Sequence, residues 1–467
     1  MLRRRQGGLL PLLSLPLLSL VSLLPCVACT VGARRVLLYV DPSNRAEGAE
    51  TAAVLAALER AGAECVQLWS GPTANSLCEQ SPEDLELVRR VRALEAPGEG
   101  EELEWVVSRL NGAVVEGVIC GSDGGLATAE RLQHVLVPAR SNGIEPARRD
   151  KFEMNQKCRA AGIPVAAQAA PSTWAEAASF LKELSERDEL RAVLKPRRGQ
   201  ASVGVHLVHG WTEARAVYEG LMKYAVSNDA TEVASGCVLQ EVLVGREWIV
   251  DTVSRNGQHK ALALWRYDKG EANGAPFVYF GVEARGVESD EEEQLVSYAM
   301  RVLDALGWRW GPAHLEIMST TSGPRLVEIN AGRWNGLDFK LIADVCFGGN
   351  AYDAGVAAYL DPTEFESLPD APPCELACSG MLVVLCSYVQ GKVIRMCNEI
   401  VDGMESLVAF EPTVQPGGHV SLTRDLDSAV GYAHLLHGDA SVVEADYRRL
   451  RQAMPSLFEV ESIRKAT

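Results

Sequence analysis

The stretch from Gly311 to Gly336, GPAHLEIMSTTSGPRLVEINAGRWNG, constrains the fold more than any other part of the chain. Two runs of alternating polar and apolar residues flank a Thr-Thr-Ser-Gly-Pro segment, and this pattern predicts a β-hairpin. With the turn centred on Ser322, Glu316 pairs directly with Glu328. The sequence therefore predicts two carboxylates that face each other across a two-stranded ribbon.

The two faces of this predicted hairpin differ in polarity, because successive side chains of a strand point to opposite sides. The polar face holds His314, Glu316, Glu328 and Asn330. The apolar face holds Leu315, Ile317, Val327 and Ile329. We expect the apolar face to pack on a core and the polar face to form a site.

A divalent cation is the expected occupant of the polar face. Opposed residues have Cβ atoms roughly 5 Å apart, and like charges at about 4 Å repel by roughly 4 kcal/mol at an effective dielectric near 20. A hard cation removes that repulsion. Glu316, Glu328 and Asn330 offer the oxygen ligands that Mg²⁺ accepts, with Mn²⁺ as a substitute, and Mg²⁺ commonly accompanies nucleotide phosphates. The alternative is a solvated face with two unrelated acids.

The length and net charge of the chain limit the kinds of function that it can have. At 467 residues the chain is long enough for roughly two to four structural units. The net charge of −17 argues against a nucleic acid as partner, because a surface that binds a phosphate backbone is basic. The 12 cysteines show no zinc-type CxxC spacing beyond the first 33 residues, so buried free thiols are expected.

The N-terminal segment resembles a leader. Arginines at positions 3–5 precede an uncharged run, 6–33, that is rich in Leu and Ser, and this combination predicts a signal sequence over residues 1–33. The run is long enough to span a bilayer, but its prolines disfavour a helix. A removed secretory leader is favoured over an anchor, and an organelle-import signal stays open. The mature protein is expected to be soluble, without a stable membrane span.

Residues 34–150 alternate between apolar runs and helical spacing, which predicts a parallel α/β unit. The predicted strands are Arg34–Asp41, Cys65–Trp69 and Val114–Cys120, and the predicted helices are Ala46–Ala61, Ser81–Leu94 and Ala127–Leu136. Gly121–Gly125 follows the last strand and opens a helix, where backbone N–H groups attract anions. No GxGxxG motif follows the first strand, so a substrate pocket is favoured over a dinucleotide fold.

Two lysines are candidates for binding phosphate. Lys151 opens a predicted helix within Arg148–Pro164, and Lys195 ends a strand just before the glycine-containing loop Arg197–Gly204. Backbone N–H groups of such a loop, together with the Ser202 hydroxyl, can approach phosphate oxygens while lysine supplies a point charge. A solvated lysine and a plain basic hairpin are the alternatives.

Further candidates lie between these lysines and the end of the hairpin. Glu241 and Glu247 flank a bend between strands and are expected at an adenine and ribose, with ordinary surface acids as the alternative. The glycine-rich segment Gly270–Pro276 is expected to form a loop that closes over a site. Arg333 is a candidate for bidentate binding of a carboxylate.

A smaller closing domain is expected after Asp361. Its predicted strands are Gly380–Tyr388, Gly391–Met396 and His419–Leu422, and its predicted helices are Ala429–Leu436 and Val443–Met454.

Taken in order, these segments resemble the ATP-grasp superfamily, and within it the carboxylate–amine ligases of the L-amino acid ligase group. The motifs that carry the resemblance are RRDKFEMNQKCRAAGIP, VLKPRRGQASVGV, LQEVLVGREWIVDTVSRNG, WRYDKGEANGAPFVY and GPAHLE…LVEINAGR. The resemblance implies a multidomain α/β and α+β protein. Its units would be the leader 1–33, an N-terminal α/β domain 34–150, an ATP-grasp domain 151–361 and a small C-terminal α+β domain 362–467.

The resemblance also implies residue roles. Lys151, Lys195, Ser202 and Gly204 would contact ATP phosphates, Glu241 and Glu247 would lie at the adenine–ribose end, and Glu316, Glu328 and Asn330 would hold Mg²⁺. Arg333 would bind the carboxylate being activated. The family usually places this arginine one residue earlier, whereas Gly332 intervenes here. Ala201 stands where a glycine is common.

The implied reaction joins a carboxylate, such as an amino acid, to an amine through an acyl phosphate, with release of ADP and phosphate. Positioning and neutralisation of charge account for most catalysis of such a transfer. A biotin-carboxylase-like activity and a nucleotide-binding protein without catalysis are the alternatives. The sequence identifies no general base, leaves a homodimer open and does not specify the two substrates.

Overall fold

A computed structural model of the chain describes residues 34–42, 49–68, 106–108, 110–185, 189–199, 203–227 and 236–461. The predicted leader 1–33, the predicted helix Ser81–Leu94 and Ser202 lie outside these residues. Among the described helices, none combines the length and the apolar character that crossing a bilayer requires.

The N-terminal unit is a parallel sheet in the order β2-β1-β3, as the sequence predicts. Its strands are β1 (Arg35–Val40), β2 (Glu64–Leu68) and β3 (Val114–Cys120), and its helices are α1 (Ala49–Arg60) and α2 (Leu126–Leu136). All three strands end at the same edge, where the turn Gly121–Gly125 leads into α2. That edge faces the end of the hairpin identified in the sequence.

A four-stranded antiparallel sheet in the order β4-β7-β5-β6 forms the next unit. Its strands are β4 (Gln168–Ala169), β5 (Arg191–Pro196), β6 (His206–His209) and β7 (Cys237–Gln240). Its helices are α3 (Lys151–Ala160), which precedes the sheet, α4 (Trp174–Leu184) and α5 (Trp211–Ser227). Asp150 caps α3 by accepting hydrogen bonds from two backbone N–H groups, which fixes Lys151 as the first residue of the helix.

An eight-stranded sheet in the order β12-β11-β8-β9-β10-β13-β17-β15 organises the rest of the chain. Its strands are β8 (Gly245–Arg255), β9 (Gln258–Ala272), β10 (Ala275–Arg285), β11 (Gly311–Thr320), β12 (Gly323–Ala331), β13 (Ser379–Val384), β15 (Leu407–Pro412) and β17 (Gly431–His437). Its helices are α6 (Asp290–Ala305), α7 (Leu337–Cys346), α8 (Ala351–Leu360), α9 (Pro362–Ser367) and α10 (Ala440–Ala453). A separate small sheet joins β14 (Gly391–Met396), β16 (His419–Val420) and β18 (Phe458–Val460).

The large sheet crosses the predicted domain boundary at residue 361, because β10 pairs with β13. The division into an ATP-grasp domain and a closing domain therefore remains a prediction, and the two segments share one set of ladder hydrogen bonds.

The predicted helix Ala429–Leu436 is wrong, because Gly431–His437 forms β17 between β13 and β15. Ala433 and Leu435 are buried there. A short apolar run fits a buried strand and a buried helix equally well by its spacing. This segment is a strand because it pairs with β13 on one side and with β15 on the other.

The predicted closing loop Gly270–Pro276 is also wrong. Strand β9 continues to Ala272 and β10 begins at Ala275, so the connection is a tight hairpin. Asn273 and Gly274 both have positive φ, 53° and 76°, as in the Asn-Gly turns that favour hairpins. The same dipeptide at Asn256-Gly257 also has positive φ at both residues and joins β8 to β9 in a hairpin.

Candidate nucleotide-binding cleft

The hairpin β11–β12 has the register that its pattern predicts at the site. Glu316 is opposite Glu328 and His314 is opposite Asn330. The turn, however, contains only Thr321 and Ser322, because Thr320 already pairs with Gly323. A bulge then shifts the ladder between Glu316 and Ile317 and restores the predicted pairing of the two acids.

The bulge corrects the predicted apolar face. Ile317 pairs with Leu326, and Leu326 is fully buried in the core beside Leu315 and Ile329. Val327 is the extra residue of the bulge and lines a cleft instead of the core. The prediction that Val327 packs in the core is therefore wrong, because the strand period of two is interrupted at this residue.

The cleft lies between the four-stranded sheet and the large sheet, and its volume, with part of the open solvent at its mouth included, is about 890 Å³. Six predicted site residues line it: Lys151, Lys195, Glu241, Glu247, Glu316 and Glu328. The structure thus brings together side chains that are up to 177 positions apart in the sequence, from Lys151 to Glu328. Gly204 lies in the adjoining loop.

Lys151 links three elements at the mouth of the cleft. Its Nζ lies 2.8 Å from a carboxylate oxygen of Glu328 and donates a 2.7 Å hydrogen bond to the carbonyl of Gly199. Its backbone N–H donates to the carbonyl of Arg197. Lys151 therefore joins the first turn of α3, the loop after β5 and the hairpin β11–β12.

Lys195 is 5% exposed and projects from β5 into the cleft. Burial, together with the positive charge of Lys151, lowers the pKa of Lys195 to about 8, although nearby glutamates including Glu328 counteract this. Near pH 8, part of the Lys195 population therefore lacks its proton and can take one up when an anion binds.

Glu316 is 8% exposed and accepts a 3.2 Å hydrogen bond from the hydroxyl of Tyr267. The Nε2 atom of His314 lies 3.8 Å from the same carboxylate. Burial acts to raise the pKa of Glu316, but Lys269 and His314 outweigh it and hold the pKa at about 2. The carboxylate is therefore ionised at neutral pH, as a ligand for a hard cation must be.

Lys269 is a cleft residue to which sequence reasoning gave no role. Its Nζ lies 2.6 Å from Glu247 and 4.0 Å from the ring centres of both Tyr267 and Tyr279. Burial opposes its charge, yet Glu247 and the neighbouring groups raise the pKa of Lys269. The continued alternation of β9 beyond Tyr267 was the signal that places Lys269 on the same face.

Glu247 and Glu241 occupy different surroundings. Burial and the neighbouring Glu316 raise the pKa of Glu247 against the effect of Lys269, which locates Glu247 beside the facing acids. Glu241 follows β7, and its carboxylate accepts a 2.7 Å hydrogen bond from the backbone N–H of Ala167. The predicted adenine–ribose role of both acids remains a prediction.

Three lysines and three glutamates thus form a charge-balanced cluster in the cleft, with members Lys151, Lys195, Lys269, Glu247, Glu316 and Glu328. Apolar side chains also line the cleft, and together they are called the apolar compartment: Val193, Val205, Val242, Leu243, Phe277, Met318 and Val327. A cleft lined by both charged and apolar side chains suits a ligand that carries both an anionic tail and a flat ring.

Residues 189–339 match the family model of the ATP-grasp domain. This match covers about a third of the chain and identifies residues 189–339 as an ATP-grasp domain. It is 27% identical over 278 residues to dapdiamide A synthase from Enterobacter agglomerans, a match that covers 56% of this chain and 61% of that protein. The chain therefore spans about three fifths of the length of that curated relative.

Solved ATP-grasp structures share the fold over nearly the whole chain. An L-amino acid ligase from Bacillus licheniformis superposes with a TM-score of 0.65 at 16% identity, over 92% of this chain and 100% of that one. A carboxyaminoimidazole ribonucleotide synthase from Aspergillus clavatus, solved in complex with ATP, has a TM-score of 0.60 at 15% identity, over 91% and 99% of the two chains. The predicted fold class is confirmed.

Arg333 lies beyond the end of β12, outside the set of residues that line the cleft. Its guanidinium donates a 2.6 Å hydrogen bond to Asp123 in the turn after β3. Gly332 has φ +96°, and a Cβ there would lie 3.0 Å from Leu126. The additional glycine therefore makes a bend that directs Arg333 toward the N-terminal unit, and the role of Arg333 with a substrate remains a prediction.

His314 is held from both sides. Its Nδ1 lies 2.7 Å from Asp251, which also accepts hydrogen bonds from Trp265 (2.7 Å) and from Asn335. Burial acts to lower the pKa of His314, but Asp251 and Glu316 raise it to about 10. The raised pKa of His314 favours a protonated ring at neutral pH, which would stabilise the negative charge of Glu316.

The predicted metal site is defined by its donor atoms. Within the described ranges no group of three or more His, Cys, Asp or Glu side chains converges as a metal site. The predicted set consists of two carboxylates, Glu316 and Glu328, and the amide of Asn330 on the same face of the ladder. Two carboxylates completed by phosphate oxygens and water fit the preference of Mg²⁺ in nucleotide sites.

Proposed function

We propose that this chain is an ATP- and Mg²⁺-dependent carboxylate–amine ligase that activates an amino acid or a related carboxylate. The observation that carries the proposal is the charge-balanced cluster of three lysines and three glutamates beside an apolar compartment. Similarity to dapdiamide A synthase and to an L-amino acid ligase supports it.

ATP would place its adenine against the apolar compartment and its triphosphate in the charged cluster. Lys151 and Lys195 would hold phosphate oxygens, and the loop that contains Ser202 and Gly204 would cover them. Gly204 has φ +72° and approaches Pro196 so closely that a Cβ would lie 3.0 Å from its ring. Glycine at this position therefore lets the loop backbone pack against Pro196, which lines the cleft.

Glu316, Glu328 and Asn330 would hold Mg²⁺, with Mn²⁺ as a substitute. When bound, the ion would supply neutralisation of the charge that develops on the transferred phosphoryl group. Glu328 must then exchange its ion pair with Lys151, and the released ammonium becomes available to a phosphate. The contact with His314 and Tyr267 keeps Glu316 in place during this exchange.

The chemistry proceeds in two steps. A carboxylate oxygen of the acid attacks the γ-phosphorus of ATP, the bond to the β–γ bridging oxygen breaks, and ADP leaves with an acyl phosphate formed. The amine then attacks the acyl carbon and expels phosphate. Arg333 is the proposed partner of the substrate carboxylate and of the oxyanion in the second step.

A phosphate-release screen of amino-acid pairs with the full chain, ATP and Mg²⁺ tests the proposal. We expect ADP and phosphate in equal amounts, with a condensed product of matching mass. Glu59→Gln, an exposed acid on α1, is the matched control for substitutions of acids in the cleft. AMP and pyrophosphate would contradict the mechanism.

Two other outcomes discriminate between the alternatives. Turnover that requires bicarbonate and yields a carboxylated acceptor would identify a carboxylase. Binding of ATP in calorimetry without turnover for any amino-acid pair would identify a nucleotide-binding protein that lacks catalysis.

A further inference from the structure

Two cysteine side chains meet where the end of α7 contacts the start of β13. Cys346 is the last residue of α7, and its thiol is in hydrogen-bonding contact with the thiol of Cys378, which directly precedes β13 by one residue in the chain. Both are free cysteines of one apolar cluster, in which Cys346 is buried and Cys378 is partly exposed. Both lie outside the set of residues that line the cleft, so the proposed function does not account for them.

The backbone holds the two thiols close together. The N–H of Ala377 donates a 3.2 Å hydrogen bond to the carbonyl of Cys346, which ties the residue before Cys378 to the end of α7. On the other side of Cys378, a Cβ on Gly380 would lie 2.7 Å from the Sγ of Cys346. A disulfide forms only between cysteines whose backbones already lie near each other, and this contact between α7 and β13 meets that condition.

The surroundings of the two thiols differ in a way that sets an order of reaction. Burial, together with Cys378, raises the pKa of Cys346 to about 12. The thiolate is the attacking species in disulfide exchange, so Cys346 is the slower of the two to react. Cys378 is partly exposed and is therefore the thiol that a dissolved oxidant reaches first.

We propose that Cys346 and Cys378 form a disulfide bond under oxidising conditions, with a small-molecule disulfide such as oxidised glutathione as the oxidant. The thiolate of Cys378 attacks one sulfur of the oxidant, whose S–S bond breaks and releases the first thiol. The thiolate of Cys346 then attacks the Cys378 sulfur of the mixed disulfide and releases the second thiol. The two cysteines lose two electrons and two protons, and the oxidant is reduced to two thiols. This inference is independent of the proposed ligase function.

The bond would close a loop over residues 347–377, which contain α8 and α9. Helix α8 packs against the end of the hairpin and the N-terminal unit, because the ring of Tyr352 lies 4.8 Å from that of Trp334, and Trp334 donates a 2.9 Å hydrogen bond to Glu50 of α1. A cross-link that closes the loop restricts the unfolded chain. The stability of this joint between units should therefore follow the redox potential of the surroundings.

Peptide mapping of the full chain tests the proposal. The chain is incubated with oxidised or with reduced glutathione, free thiols are alkylated, and the protein is digested after Glu, Lys and Arg without a reductant. Cleavage at the glutamates between positions 346 and 378 puts Cys346, Cys378 and the intervening Cys374 on separate peptides. Fragmentation of the linked peptide distinguishes Cys378 from Cys386. We expect a peptide linked through Cys346 and Cys378 after oxidation, and its loss after reduction.

Serine variants sharpen the test. Oxidation should raise the melting temperature of the native chain by roughly 4 °C, as a cross-link that closes a loop of this length predicts. Cys378→Ser should abolish both the linked peptide and the rise in melting temperature. Cys374→Ser, at an exposed position in the same segment, is the matched control and should retain both.

Three results would overturn the proposal. The first is a bond between Cys374 and Cys378, and the second is complete alkylation of Cys346 after oxidation. The third is a rise in melting temperature that persists in Cys378→Ser, because it would assign the stabilising bond to other cysteines. If Cys378→Ser fails to fold, the peptide map of the native chain decides by itself.

Discussion

The charged cluster of the cleft and the Arg333–Asp123 pair both bring opposite charges together away from solvent, but the charges are held in place differently. In the cleft, four of the six charged side chains stand on neighbouring strands of the large sheet and are fixed by its register, and two lysines from outside that sheet balance their charge. The pair instead joins two units across 210 positions of sequence, and each partner keeps an unsatisfied atom. Charges held by ladders are preorganised, whereas a half-satisfied pair between units is suited to open for a ligand.

The largest expected effect comes from substitution of the acids that the ladder holds in place. Glu316→Gln should lower kcat by roughly 10²–10³-fold, the loss typical of a group that stabilises transferred charge. Steady-state release of ADP measures this effect, and binding of Mn²⁺ by electron paramagnetic resonance in the presence of ADP should weaken in parallel. Unchanged Mn²⁺ binding would show that Glu316 is not a ligand.

The pair between units should respond differently. Arg333→Lys keeps the charge but loses bidentate geometry, so kcat/KM for the acid substrate should fall by roughly 10–100-fold while KM for ATP stays constant. Kinetics with each substrate varied in turn separates the two parameters. A rise in KM for ATP alone would place Arg333 at the nucleotide.

Substitution of Lys269 and Glu247 tests whether the contributions of these two charges to stability depend on each other. The variants Lys269→Met and Glu247→Gln each leave a buried charge without its partner, whereas the double variant removes both charges. We expect the double variant to be more stable than the sum of the single losses predicts, with a coupling of roughly 0.5–3 kcal/mol. Urea unfolding of the four proteins measures it, and additive losses would contradict the pairing.

The pKa of Lys195 gives a pH-dependent test of the phosphate site. Because its pKa is lowered to about 8, part of the population lacks the proton at pH 8, and a bound triphosphate should raise the pKa and drive proton uptake. ATP affinity should therefore fall as the pH rises through 8. Calorimetry at pH 8 in buffers of different ionisation enthalpy detects this uptake, and the uptake should vanish in Lys195→Met and near pH 6.

The smallest expected effect concerns the loop backbone. Gly204→Ala forces a side chain into a left-handed conformation against Pro196, which should destabilise the chain by roughly 1–2 kcal/mol. Thermal unfolding measures this loss, and Gly220→Ala on α5, where a Cβ meets open space, is the control that should be neutral or stabilising.

The sequence predicted the site best where alternation controls it. Pairing of Glu316 with Glu328 follows from strand period, and Lys151 follows from a capped helix start. Strand β17 and the tight turn at Asn273-Gly274 were missed because spacing alone does not reveal strand partners. The pairing of Arg333 with Asp123 was beyond reach, because it depends on how two separate units pack.

The bulge at Val327 allows the cleft wall to change without a change in the register of Glu316 and Glu328. Removing that one residue would leave a regular ladder in which Leu326 still pairs with Ile317 and Glu328 still faces Glu316, since the turn fixes the count from its own end. Only one wall of the cleft would change. A single-codon insertion or loss at this point can therefore reshape the cleft while Glu316 and Glu328 keep their places opposite each other.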